Sequence, residues 1–193
     1  MRTGFYCLFD TPIGPCGLAW RESGDGCAVT HLQLPESAPE VTEQRIARNS
    51  GVRRADPPPG IAAVIEKLRR HLRGELQDFR DVSLDLSGVR PFDRLVYEAA
   101  RGIPSGETRT YGDIAEVISG SVQSLASSIK LPVSRAVGQA LARNPIAIII
   151  PCHRVLAANG RLGGFSATGA LHTKTRLLEI ERAKFPGLLA FPS

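Results

Sequence analysis

With 193 residues, 42% of them hydrophobic, the chain has enough apolar material for one large domain or two small ones. Met1-Arg2 leads into mixed polar residues, and the longest aliphatic run, 146–150, is far too short to span a bilayer, so the expectation is a soluble cytoplasmic protein with no membrane partner. The formal charge of +5 is uneven: residues 1–90 hold as many acids as bases, and the whole excess falls in 91–193, which points to a polyanion facing the second part.

The first part reads as short strands. FYCLFDTPIG, CGLAWRE and AVTHLQL cluster or alternate apolar residues between Gly and Pro, the pattern of a hairpin-rich sheet. Glu36 to Gly60 is charged and then proline-rich, which suggests an exposed connection. Ile61 to Leu72 carries Val64, Ile65, Leu68 and Leu72 at helical spacing and ends near Gly74. A boundary near Leu86 to Arg90 divides the chain into domains 1–88 and 89–193. The cysteines at 7, 16, 27 and 152 read as free thiols. Cys27-x3-His31 fits no compact zinc module, so no metal is expected.

The second part is mainly helical. Pro91 opens a helix with Phe92, Leu95, Val96 and Ala99 on one face, Arg101 in its last turn and Gly102 just beyond. Thr110-x-x-Asp113 resembles a capping box that starts a second helix burying Ile114, Val117 and Ile118. A third runs from about Val133 or Ser134 to Arg143 with Val137, Ala140 and Leu141 inward. The second and third could form a helix-turn-helix.

Ile-Pro-Cys-His-Arg-Val, 150–155, carries the chemistry. A thiol attacks as the thiolate, and a neighbouring imidazole or guanidinium favours that form, so Cys152 is a candidate nucleophile with His153 and Arg154 beside it. Neighbouring side chains point apart, so a turn or a bridging water must connect Cys152 to His153. Glu181 lies four residues after Leu177 and three after Leu178, on an apolar helical face where a carboxylate wants a partner. Asn144, before Pro145, can tie the turn preceding Cys152 to neighbouring backbone.

RAVGQALARNPIAIIIPCHRV, LAANGRLGGFSATGALHTKTRLLEIE and IPSGETRTYGDIA together resemble the O6-alkylguanine-DNA alkyltransferases, the methylated-DNA–protein-cysteine methyltransferases, over most of Pro91 to Glu181. FDTPIGPCGLAW is the most family-like stretch before that. The resemblance implies an α+β/α protein: a small ribonuclease-H-like α/β domain followed by a mainly helical, winged-helix-like DNA-binding domain with a helix-turn-helix. It implies a monomer that flips O6-alkylguanine, and also O4-alkylthymine, out of duplex DNA and moves the alkyl group once to Cys152 with no cofactor, since the substrate brings the group. By resemblance, His153, a water and Glu181 deprotonate the thiol, Tyr111 donates to the guanine ring, and Asn144 holds the active-site loop. Arg135 enters the duplex where the base leaves, with the small residues Ala136 and Gly138 allowing close approach of its helix. Val155 and Ser166 bind the base edge through backbone groups, and Phe165 lines the pocket where many members have Tyr. The interval from Tyr111 to Arg135 is longer than the family pattern, with SGSVQSLASSIKLP as the excess; an exposed, mobile loop over Ser119 to Leu131 is expected.

Two other classes stay open: a non-catalytic lesion-binding or regulatory helix-turn-helix protein, against which Cys152 argues because the alkyltransferase-like binders that resemble this family lack that nucleophile, and a cysteine hydrolase using Cys152 and His153, which would need an oxyanion site.

Overall fold

The structure, a computed structural model, describes residues 4–24, 26–50, 53–122, 132–162 and 170–184. It is a mixed α/β protein with six α-helices and a small sheet among the described residues, and it divides into two compact units, Met1–Gly88 with Pro145–Ile149 and Val89–Asn144 with Ile150–Ser193.

In the first unit, β1 (Gly4–Phe9), β2 (Cys16–Ser23) and β3 (Gly26–Gln33) form an antiparallel meander, and β4 (Arg53–Arg54) adds in parallel beside β1, giving the order β3-β2-β1-β4. A parallel neighbour requires a crossover. Helix α1 (Pro39–Ser50) supplies it, within the stretch that the sequence suggests is an exposed connection. The charged run hides a narrow inward face: Thr42 and Ile46, four residues apart, are 0% and 1% exposed. Ile46 packs on the sheet at Gly17, where an added Cβ would lie 2.9 Å from two Ile46 carbons, so α1 docks only because position 17 has no side chain. Helix α2 (Pro59–Leu72) opens with Pro at its first turn and buries Ile61, Ile65, Leu68, His71 and Leu72; Val64 is only half-buried. Each such aliphatic side chain contributes about 1.5–3 kcal/mol on leaving water.

Pro145–Ile149 joins this unit through a hydrogen bond from the Leu32 N–H to the Pro145 carbonyl at 2.8 Å. Within it, Ile148 has φ +69°, and the Ile149 N–H donates to the Ala147 carbonyl at 2.8 Å, a three-residue turn. Positive φ at a β-branched residue costs about 1–3 kcal/mol. Burial of Ile146, Ile148 and Ile149, none more than 2% exposed, offsets it.

The second unit holds α3 (Pro91–Arg101), β5 (Arg109–Thr110), α4 (Tyr111–Val122), α5 (Val133–Ala142), β6 (Val155–Leu156) and α6 (Ala170–Ile180). Helices α3, α4 and α5 pack on one another. Strands β5 and β6 pair in parallel, Arg109 opposite Val155, which sets the start of α4 beside the chain leaving Cys152. Two apolar faces are rotated from those the sequence suggests. Helix α3 buries Asp93, Val96, Tyr97 and Ala100 most deeply and leaves Phe92, Leu95 and Ala99 half-buried, because Asp93 finds guanidinium partners that let a carboxylate go inside. On α4 the buried stripe is Ile114, Ile118 and Val122, whereas Val117 is 71% exposed. Ser119 to Val122 therefore continue α4 rather than start a loop, and 123–131 lie outside the described residues. Val137, Ala140 and Leu141 form the buried side of α5, as their spacing suggests.

Candidate active site

Cys152 opens a single 3₁₀ turn, Cys152–Arg154, directly after Pro151, whose φ of −82° and ψ of 64° make a tight reversal closed by the Cys152 N–H on the Ile150 carbonyl at 2.8 Å. Proline holds φ near the value that reversal needs. The turn sends consecutive side chains apart while burying all three: Cys152 is 7%, His153 0% and Arg154 5% exposed.

Asn144 stands on the other side of the thiol. Its Nδ2 donates to the Ile150 carbonyl at 2.8 Å and to Cys152 Sγ at 3.2 Å, so one amide ties the turn and also places a donor on the sulfur. Burial pushes the Cys152 thiol above its ordinary value; the Asn144 hydrogen bond is the largest effect in the other direction, followed by the charge of Lys174 and the backbone N–H groups of Cys152 and His153.

Lys174, on α6, is 0% exposed, and its Nζ donates to the Val155 carbonyl at 2.6 Å. Desolvation lowers it from 10.5 to about 8, with Cys152 pulling the other way. Arg154, in contrast, does not serve the thiol. Its guanidinium donates to both Glu181 oxygens, at 2.9 and 2.8 Å, and to Ser105 Oγ at 2.9 Å and the Ile103 carbonyl. The cation that acts on Cys152 is thus Lys174, and the expectation that the neighbouring guanidinium does so is corrected.

Glu181 lies just past the end of α6, its N–H still bonded to the Leu177 carbonyl, and it is 1% exposed. His153 Nε2 is 2.9 Å from its Oε1. An ionised carboxylate only accepts, so Nε2 carries the proton and Nδ1 is the basic atom of the neutral ring. The Gly106 N–H also donates to the carboxylate, at 3.4 Å from Oε2. Gly106 has φ +84°, and a Cβ there would come 3.1 Å from the Glu181 carbonyl, so both its conformation and its close approach require glycine.

Tyr111 begins α4. The capping box before it is reciprocal, with the Thr110 N–H on Asp113 Oδ2 at 2.8 Å and the Asp113 N–H on Thr110 Oγ1 at 3.1 Å. Burial raises the Tyr111 phenol, and the Cys152 charge adds to that. A Cβ at Gly138 on α5 would be 3.8 Å from the Tyr111 ring. Arg135 is exposed in the first turn of α5, with Ala136 and Gly138 half-buried behind it.

The profile of the family described as 6-O-methylguanine DNA methyltransferase, DNA binding domain, matches residues 91–183. A methylated-DNA–protein-cysteine methyltransferase of Mycobacterium bovis is 38% identical over 181 residues, 94% of this chain and 94% of its own. The chain belongs to the methylated-DNA–protein-cysteine methyltransferase family. A crystal structure of the Mycobacterium tuberculosis O6-methylguanine methyltransferase superposes with a TM-score of 0.69 at 36% identity, covering 98% of this chain and 100% of that one. The Mycobacterium tuberculosis protein in complex with DNA gives 0.64 at 36% identity, over 93% of this chain and 94% of that one.

In this methyltransferase family member, then, the structure forms two hydrogen-bonded pairs, Asn144 with Cys152 and His153 with Glu181, and sets Tyr111 where it feels the thiol's charge. Val155 is fully buried, with its carbonyl already holding Lys174. Phe165 and Ser166 lie outside the described residues. Lys174 is the member of the site that sequence reading missed; a lysine four residues before Leu178 on an amphipathic helix reads as solvated, and only its position on the inward face would have signalled otherwise. All four cysteines are free thiols, and among the described residues no group of His, Cys, Asp and Glu is arranged to hold a metal ion.

Proposed function

We propose that this protein repairs alkylated DNA by moving the alkyl group from O6 of guanine, and from O4 of thymine, in duplex DNA to Cys152 in a single displacement. The observation that carries this reading is the buried thiol held by the Asn144 amide at 3.2 Å, beside a His153–Glu181 pair at 2.9 Å, in a chain of the methyltransferase family. The Cys152 proton leaves through a bridging water toward the basic Nδ1 of His153, whose ring Glu181 orients, and Glu181 in turn is fixed by Arg154. The thiolate attacks the alkyl carbon, the carbon–oxygen bond breaks, and the electron pair stays on the base. Tyr111, its phenol raised and so holding its proton, supports the negative charge that develops on the ring. The product is a thioether with no carbonyl for water to attack, so the protein acts once.

A base inside the stack cannot reach a thiol that is 7% exposed, which calls for flipping. Arg135, exposed at the start of α5, would fill the gap, and Val155 with Ser166 and Phe165 would receive the base. The packing of α4 on α5 supports a helix-turn-helix within a winged-helix-like domain, and the strand order β3-β2-β1-β4, with β4 parallel to β1, supports a ribonuclease-H-like first domain. Incubation with a duplex containing O6-methylguanine, followed by intact and peptide mass analysis, tests the proposal. One stable methyl on Cys152 is expected. Multiple turnovers without an adduct, or binding with no transfer, would refute it.

A further inference from the structure

Asn144 can serve the thiol only if the last turn of α5, which delivers it, is fixed, and that turn is gripped by α3. Asp93 and Tyr97 are four residues apart on α3 and so share one face. The Tyr97 hydroxyl donates to the Ala140 carbonyl at 3.0 Å, a contact between buried groups. Asp93, 4% exposed, accepts from Arg143 through both oxygens, Nε to Oδ2 at 3.1 Å and Nη2 to Oδ1 at 2.9 Å, and Arg90 adds two further bonds to Oδ2 at 3.1 and 2.9 Å. Arg143 is the residue immediately before Asn144 and caps the end of α5. Two-point guanidinium–carboxylate pairing fixes orientation as well as distance. A buried carboxylate carrying two guanidinium groups is more than a helix needs to end, and the chain places it one residue from the amide that touches sulfur.

We propose that Asp93 and Tyr97 are positioning residues for alkyl transfer: through Arg143 and Ala140 they set where the Asn144 amide stands and so how readily Cys152 becomes a thiolate. This rests on Cys152 as the nucleophile. Neither residue needs to touch base or DNA. The charged and titratable groups around the thiol are Tyr97 from α3, Tyr111 from α4, Lys174 from α6 and His153 next in the chain, and among the neighbours of the sulfur the Asn144 bond has the largest effect in favour of the charged form. Slackening the grip weakens that bond and leaves the other groups in place.

The test uses Tyr97→Phe and Arg143→Gln in the full chain. Both leave the buried groups partnered: the Ala140 carbonyl keeps the Arg143 N–H at 3.0 Å, and Asp93 keeps both bonds from Arg90. Transfer from free O6-benzylguanine, which needs no DNA, is followed across pH by mass gain on Cys152. The midpoint of the rate–pH curve is expected to move up by about half to one unit in each variant, a loss of about 3- to 10-fold at neutral pH that closes at high pH. Rates equal to the parent's at every pH, or a loss of the same factor at every pH with the midpoint unmoved, would overturn the positioning role while leaving the nucleophile intact. No adduct on Cys152 in the parent would instead remove the nucleophile itself, and this inference with it.

Discussion

Lys174→Met offers a quantitative trial of the site, because stability and reactivity should move in opposite directions. Lys174 is fully buried and lowered from 10.5 to about 8 by desolvation. In the unfolded chain it holds its proton up to its ordinary value, so at neutral pH the folded state carries a charge that it holds less willingly. A depression of that size costs about 3 kcal/mol. The sign follows from proton counting: between about 8 and 10.5 the unfolded chain binds more protons, so the parent gains stability as pH rises through this window and carries the full cost below it. Methionine fills similar space without charge but leaves the Val155 carbonyl short of its 2.6 Å donor, which costs about 1–3 kcal/mol. The variant should therefore be as stable as the parent at pH 7, or about 1 kcal/mol more stable, with that advantage shrinking toward pH 10. Transfer should slow, because a cation favouring the thiolate is gone. Urea unfolding at pH 7 and pH 9.5, beside transfer from O6-benzylguanine over the same range, measures both. A variant clearly less stable than the parent at pH 7, with an unchanged rate–pH curve, would refute this account of the lysine.

Cys152→Ser should abolish transfer and keep affinity for O6-methylguanine duplex, since the hydroxyl occupies similar space but ionises far less readily; adduct mass and a binding titration check it. Glu181→Gln leaves the Arg154 guanidinium, with a 6% exposed side chain, without its counter-charge and should lower stability by about 3 kcal/mol or more in urea unfolding while slowing transfer. Arg135→Ala should weaken repair of duplex DNA much more than reaction with the free base, as paired rate measurements will tell. Duplex affinity should fall as salt is raised, with a slope on a double-logarithmic plot that reports the phosphates neutralised.

The motif around Cys152 is legible in the sequence because the family pattern is local and dense there; Asn144, Cys152 and His153 fall within ten residues. Helices α3, α4 and α5 announce themselves by Pro91, the Thr110–Asp113 box and a clean apolar stripe. What escapes sequence reading depends on distant partners. Asp93 looks like a solvated first-turn acid until Arg143, 50 residues on, arrives beside it. Lys174 looks exposed until the Val155 carbonyl claims it. Helix α1 hides because Ile46 is its one large hydrophobe in the core cluster with Tyr6 and Ala19, too little apolar material to register in a charged run.

The capping box at Thr110 and the grip on Arg143 also differ in how far along the chain they reach, three residues against 50. A three-residue contact forms with the first helical turn, within the microsecond range of helix formation, whereas joining Asp93 to Arg143 must first close a long loop. The start of α4 that carries Tyr111 is thus set by its own first turn, while the amide that tunes the thiol acquires its place only once α3, α4 and α5 have assembled. A chain that has regained its helices but not this last closure will have normal far-ultraviolet dichroism and a sluggish Cys152, so the reactivity of the sulfur is a late and sensitive reporter of folding in the second unit.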